Sequence, residues 1–130
     1  MRRVAPLAAL LLLAGCAALW PAGAPQPRFV VYFQEQSADL DAAALKAIAG
    51  AADWARQHPA VPLTVTGFAD PAGNAAGNRD LSRLRAQVVG DTLVSDGVAL
   101  ARIRRVAAGP VAFASTAQES RRVEIVPGAP

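Results

Sequence analysis

Two residues near the middle of the chain have the types and spacing that chemistry could use. Asp70 closes a short alternating run, Leu63-Thr-Val-Thr-Gly67, which reads as a half-buried strand. Arg85 follows a loop of turn-forming residues, Pro71-Ala-Gly73-Asn74-Ala-Ala-Gly77-Asn78, and lies on the helical stretch after it. A carboxylate at a strand end and a guanidinium one turn into the next helix can face one pocket. The same two groups can instead pair only with each other, or Asp70 can cap a turn. Catalysis finds little to work with. His58 is the sole histidine and sits in Gln57-His58-Pro59, a helix exit, where the negative end of the helix dipole accounts for it. A Ser-His-Asp hydrolase would have to be built on that residue. A sugar hydrolase needs two converging carboxylates, and the only one near Asp70 is Asp80, on the helix. Gly73-Asn-Ala-Ala-Gly77 lacks the Lys-Ser/Thr of a phosphate-binding loop. The chain reads as a binding protein and not an enzyme.

Composition narrows the field further. The one cysteine, Cys16, allows no internal disulfide, and with one histidine no His/Cys zinc site is expected. No metal or cofactor is expected. The 130 residues suit one domain, and much of the 53% hydrophobic content lies in the first 20 residues. The net charge of +3 includes Arg2 and Arg3, so a chain without them is close to neutral. Trp20, Trp54, Tyr32 and four Phe are scattered and form no base-stacking platform, so nucleic acid is not an expected partner. Arg102, Arg104 and Arg105 could touch anionic lipid or glycan. A solvated, charge-protected strand edge is the plainer reading.

The start, MRRVAPLAALLLLAGC, has two arginines and then an apolar run too short to span a membrane. Leu13-Ala14-Gly15-Cys16 resembles the lipobox of bacterial lipoproteins. That resemblance implies a signal peptide over residues 1–15, lipidation of the Cys16 sulfur and acylation of the new amino terminus. Stable anchoring needs more than one acyl chain, and this pattern supplies them. Ala17, where an Asp could stand, is similar to outer-membrane cargo of that class. Residues 16–27 hold the lipidated cysteine and a Pro-rich linker with three prolines, which at about 3.1 Å per residue reaches at most roughly 34 Å.

The remaining elements must position Asp70 and Arg85. Arg28 to Phe33 is rich in β-branched and aromatic residues and reads as a first strand. Asp39 or Asp41 caps a helix whose buried stripe is Leu45, Ile48, Ala52 and Ala55, ended by Pro59. Val61 to Gly67 is a second strand, parallel to the first by a right-handed crossover. The next helix starts with Asn78 as its cap and stops at Asp96-Gly97. Leu81, Leu84, Val88, Thr92 and Leu93 mark its buried side, with Arg85 near the rim. A third strand continues from Arg104, a connection runs from Gly109-Pro110 to Glu119, and Arg121 to Ile125 form a closing strand.

Gly67, Asp70, Gly73, Asn78, Leu81, Ser82, Arg85, Ala86 and Val89 together resemble the motif of OmpA-like peptidoglycan-binding domains, G-x-T-D, a Gly-containing loop, then N-x-x-L-S-x-x-R-A-x-x-V. Ser37-Ala-Asp-Leu40, Gly97-Val98 with Arg102-Ile103, and Arg121-Arg-Val-Glu-Ile125 are similar to further family segments, so the resemblance covers about residues 29–126. It implies an α+β fold: a β-α-β-α-β-β two-layer sandwich, two helices on a mixed four-stranded sheet, over residues 28–127. It also implies that Asp70 binds the ammonium of the stem-peptide diaminopimelate and Arg85 its carboxylate. A guanidinium fork suits a carboxylate better than a point charge does. Asn78 would hydrogen-bond the peptide, and amides at the helix start would favour the carboxylate. The chain departs from the pattern at Gln34-Glu35-Gln36, at Ala69 for Thr, at Gly77 for an aromatic, at Ser120 for Asn, and in a shortened 110–120 segment. The implied function is an outer-membrane lipoprotein whose periplasmic domain tethers membrane to wall by gripping peptidoglycan non-covalently. The departures leave a second reading, an interaction subunit of an envelope complex that has lost wall binding.

Overall fold

A computed structural model describes residues 26–110 and 117–128. The expected signal peptide, Cys16 and nearly all of the linker lie outside the described residues, as does the middle of the 110–120 connection. The elements run β1 (Phe29–Tyr32), α1 (Ala42–Gln57), β2 (Leu63–Ala69), α2 (Ala75–Ser95), a short 3-10 turn at Leu100–Arg102, β3 (Ile103–Pro110), α3 (Ala117–Ser120) and β4 (Arg122–Pro127). The sheet order is β1-β4-β2-β3. β4 is antiparallel to both of its neighbours, while β2 and β3 are parallel. β1 and β2 therefore point the same way, as expected, but they share no ladder because β4 is inserted between them. The α+β, mixed four-stranded sheet with two principal helices is as the sequence implied.

Period-two alternation sets the core face of the sheet. Leu63, Val65 and Ala69 on β2 and Val123 and Ile125 on β4 are fully buried, and the register places Val65 opposite Ile125. α1 covers this face with Ala44, Ile48, Ala51, Ala52 and Ala55, an apolar stripe at helical spacing. Asp41 caps it, accepting the Ala44 amide at 2.8 Å. Leu45, expected in the stripe, is 47% exposed, because Ala44, one position earlier, takes the contact. His58 is the C-cap residue of α1; its ring stacks on Trp54 at 4.0 Å and Nδ1 lies 2.8 Å from the Trp54 carbonyl. That is the expected structural role.

α2 crosses β2 at Gly67. A β-carbon there would lie 2.0 Å from the Ser82 carbonyl oxygen, so only glycine lets the helix come this close. The helix ends as the sequence implied. Gly97, at φ 101°, donates to Val94 O at 3.0 Å, and Val98 donates to Leu93 O at 3.0 Å, the two bonds of a Schellman stop.

Two expectations about α2 need correction. Its cap is Asn74, whose side chain accepts the Gly77 amide at 2.9 Å, and not Asn78. Its buried face is also rotated by about one residue: Asn78, Ser82, Arg85, Ala86, Val89, Gly90 and Leu93 are buried while Leu84 is 47% exposed. Arg85 is thus at the centre of the face and not at its rim. The close approach at Gly67 fixes this rotation.

Candidate functional site

The site forms where β2 runs out beside the first turns of α2. Arg85 is 0% exposed, yet no ion pair within 4 Å holds it among the described residues. Its guanidinium is instead caged by backbone carbonyls. Nε donates to Ser37 O at 2.8 Å, Nη1 to Phe68 O at 3.1 Å and Nη2 to Gln34 O at 3.0 Å. The Phe33 ring lies beneath it, 5.1 Å from Cζ. The carbonyls come from the end of β2 and from the turn at Gln34–Ser37. That turn closes with a Ser37-to-Gln34 backbone bond and holds Gln36 at φ 51°, an unusual conformation for a non-glycine residue. Burial lowers the Arg85 pKa, with the Asp70 charge opposing the fall and Arg121 adding to it. A guanidinium starts so high that it remains a cation.

Asp70 is 15% exposed at its side chain and is held from the junction of α3 and β4. The Ser120 hydroxyl donates to Oδ1 at 2.5 Å, and Arg121 Nη1 stands 3.5 Å from Oδ2. Arg121 also donates from Nε to Phe33 O at 3.3 Å. Asp70 and Arg85 therefore share one neighbourhood without pairing directly; the carboxylate's ion partner is Arg121. Asn78 is 5% exposed and sends Nδ2 to Ala72 O at 2.6 Å, pinning the loop between β2 and α2. Ser82 performs a similar task on the other side, accepting the Gly109 amide at 3.1 Å and so fixing the end of β3.

The structure thus brings Asp70, Arg85 and Asn78 into one region and adds Ser120 and Arg121, to which the sequence reading assigned no role there. A signal for Arg121 was present. Counting back by two from the core residues Ile125 and Val123 reaches Arg121, just before the first residue of β4, on the side the core residues face, where a charge needs a partner. Ala69, where the family pattern has Thr, is itself 0% exposed and faces the core. The basic trio is not a uniform patch. Arg102 donates inward to His58 O and Val61 O, Arg105 pairs with Asp91 at 2.6 Å, and Arg104 is exposed on the edge strand β3.

This geometry can be set beside known proteins. Residues 32–124 match the model of the OmpA family. The chain belongs to the OmpA family. Among curated relatives, it is 30% identical to a peptidoglycan-associated lipoprotein of Mesorhizobium japonicum, covering 95% of this chain and 90% of that protein. It is 36% identical to the probable lipoprotein YiaD of Escherichia coli over 73% of this chain, but spans only 46% of YiaD's length. Among solved structures, the peptidoglycan-associated lipoprotein of Burkholderia pseudomallei superposes with a TM-score of 0.70 at 25% identity, covering 75% of this chain and 88% of that one. Within this OmpA-family chain, Gly67 is the point of helix contact, Asn78 pins the loop, Ser82 secures β3 and Arg85 ties the β1–α1 turn to β2.

Proposed function

We propose that this OmpA-family chain is an outer-membrane lipoprotein, anchored through Cys16, whose periplasmic domain binds peptidoglycan non-covalently and tethers the membrane to the wall. The observation that carries the reading is the placement of Asp70, Arg85 and Asn78, the residues of the family motif, around the one junction between β2 and α2. The relative in Mesorhizobium japonicum, alike over nearly the whole chain, is named for its association with peptidoglycan. In this reading the ammonium of diaminopimelate goes to Asp70, its carboxylate to Arg85 and the peptide to Asn78. Arg85 has donated one hydrogen from each nitrogen, so each Nη keeps a second N–H for a ligand.

Charge-assisted hydrogen bonds contribute on the order of 1.5–3 kcal/mol each. Desolvation and lost motion offset much of this, so a single stem peptide binds at about micromolar to millimolar strength. Many copies on one membrane facing a polymer raise the avidity without new contacts. A non-enzymatic tether needs no more.

The test is co-sedimentation of the chain with purified sacculi. The wild type is expected to pellet, free meso-diaminopimelate to release it, and Asp70→Asn to stay in solution. A folded wild type that ignores sacculi sinks the reading. One observation favours a second reading, an interaction subunit of an envelope complex: Arg85 has no exposed surface and three carbonyls already hold it. That reading expects a folded wild type to remain in the supernatant.

A further inference from the structure

β3 is the last strand of the sheet, so one of its edges has no partner strand among the described residues. Such an edge presents a row of N–H and C=O groups to which another extended chain can add. The far end of β3 is closed. Ala108 bulges between the pairs Gly67–Ala107 and Phe68–Gly109, and Pro110 ends the strand. From Ile103 to Ala107 the pairing with β2 is regular, and neither device blunts the edge.

Beside this stretch a cleft of about 260 Å³ opens between β3 and α2, lined by Arg83, Ala86, Gln87, Arg105, Val106 and Ala107. Its cations are held in place. Arg105 lies across α2 where Gly90 makes room, since a β-carbon at Gly90 would come 2.5 Å from Arg105 Nε. Glycine is a poor residue for the middle of a helix, and this close approach accounts for it. Arg105 Nη2 donates to Asp91 at 2.6 Å, and Arg83 Nη1 donates to Asp80 at 3.0 Å. Each contact occupies one terminal nitrogen, so both guanidiniums keep donors for a visitor. Arg79, whose stem would meet a β-carbon at Gly109, and Arg104, exposed on β3, have no ion pair among the described residues. Around this edge four guanidiniums stand against two carboxylates.

We propose that the open edge of β3 takes a short acidic segment of a partner protein as an added strand. The backbone of the segment pairs with Ile103–Ala107. Alternate side chains of an added strand share one face, so carboxylates at every second position enter the cleft between Arg83 and Arg105. Arg79 and Arg104 add attraction at longer range. A second copy of this chain would bring one basic edge against another, which disfavours self-pairing here. An anionic lipid headgroup would meet the arginines but leave the strand edge unpaired. The surface uses none of Asp70, Arg85 and Asn78, so the proposal stands independently of wall binding.

The experiment measures fluorescence polarisation of labelled peptides with the full chain in detergent. The probes are Thr-Glu-Val-Glu-Val-Thr, its counterpart with lysine for glutamate, and the acidic peptide N-methylated at every second residue in each of the two phases. Wild type should bind the acidic peptide at least about tenfold more tightly than the lysine one, with amide shifts along Ile103–Ala107. One N-methylated phase should lose about tenfold, because its strand hydrogen bonds are gone while its charge is kept. Arg105→Gln should also lose about tenfold, the loss of one charge-assisted contact. Gly90→Ala alters no charge but displaces the Arg105 guanidinium, and should weaken binding about threefold, with thermal melts showing both variants folded. Equal binding of both N-methylated phases and the parent peptide would reduce the contact to charge alone and overturn strand addition. Wild-type affinity in both Arg105→Gln and Gly90→Ala would overturn the site. A folded wild type that ignores the acidic peptide also overturns the proposal. If that protein binds phosphatidylglycerol vesicles through Arg105, the edge faces lipid instead.

Discussion

The two long helices lie on the same sheet and are built on opposite plans. α1 buries only Ala44, Ile48, Ala51, Ala52 and Ala55, small apolar residues with nothing to donate or accept. α2 buries Asn78, Ser82 and Arg85 in its first half and reverts to Ala86, Val89, Gly90 and Leu93 in its second. The polar half of α2 is the part beside Asp70, and its polar groups are all partnered: Asn78 with the loop, Ser82 with β3, Arg85 with two further segments. The difference separates packing from positioning. α1 closes the core, while the first half of α2 holds four chain segments in register around one carboxylate.

The largest effect should come from Gly67. Gly67→Val places side-chain atoms inside the Ser82 carbonyl and is expected to cost more than about 4 kcal/mol, read as loss of cooperative unfolding in denaturant. Arg85→Met should cost about 3 kcal/mol or more, at roughly 1–3 kcal/mol for each of three stranded carbonyls, and should also abolish sedimentation with sacculi. On the other helix, Ile48→Ala should cost a similar 2–5 kcal/mol, yet what remains folded should still bind. If the two variants lose binding in equal measure, the division of labour between the helices is wrong.

Smaller effects refine the same contrast. Asn74→Ala should cost about 1 kcal/mol, because the cap of α2 is there. Gly50→Ala should reverse the sign. Its β-carbon would meet Phe29 at an ordinary 3.8 Å, so relief of helix entropy should stabilise α1 by about 0.5–1 kcal/mol in the same denaturant titration.

The contrast also shows what the sequence could reveal. The strands, α1, an aspartate cap at Asp39 or Asp41 (the structure has Asp41) and the Gly97 stop follow from alternation, helical period and cap chemistry, all local properties. The orientation of α2 does not, because Leu81, Leu84 and Val88 suggest an apolar stripe while the contact at Gly67 decides the rotation. The burial of Arg85 depends on carbonyls at Gln34 and Ser37, far back in the chain, which no local pattern reports. The turn-forming residues through Gly77 read as loop, which puts the cap at Asn78, but the helix starts before it once Asn74 accepts the Gly77 amide. The insertion of β4 between β1 and β2 is likewise a long-range event. Asp70 and Arg85 were legible through their spacing, but the Ser120 and Arg121 contacts to Asp70 required the sheet order.

The most direct test of this account follows backbone amide and arginine Nε–H resonances while a diaminopimelate-containing stem peptide is added. The account predicts shifts at residues 34–37, 68–78, Arg85, Ser120 and Arg121, with none along the buried stripe of α1. Absence of shifts in the folded protein, or shifts confined to other surfaces, would contradict it.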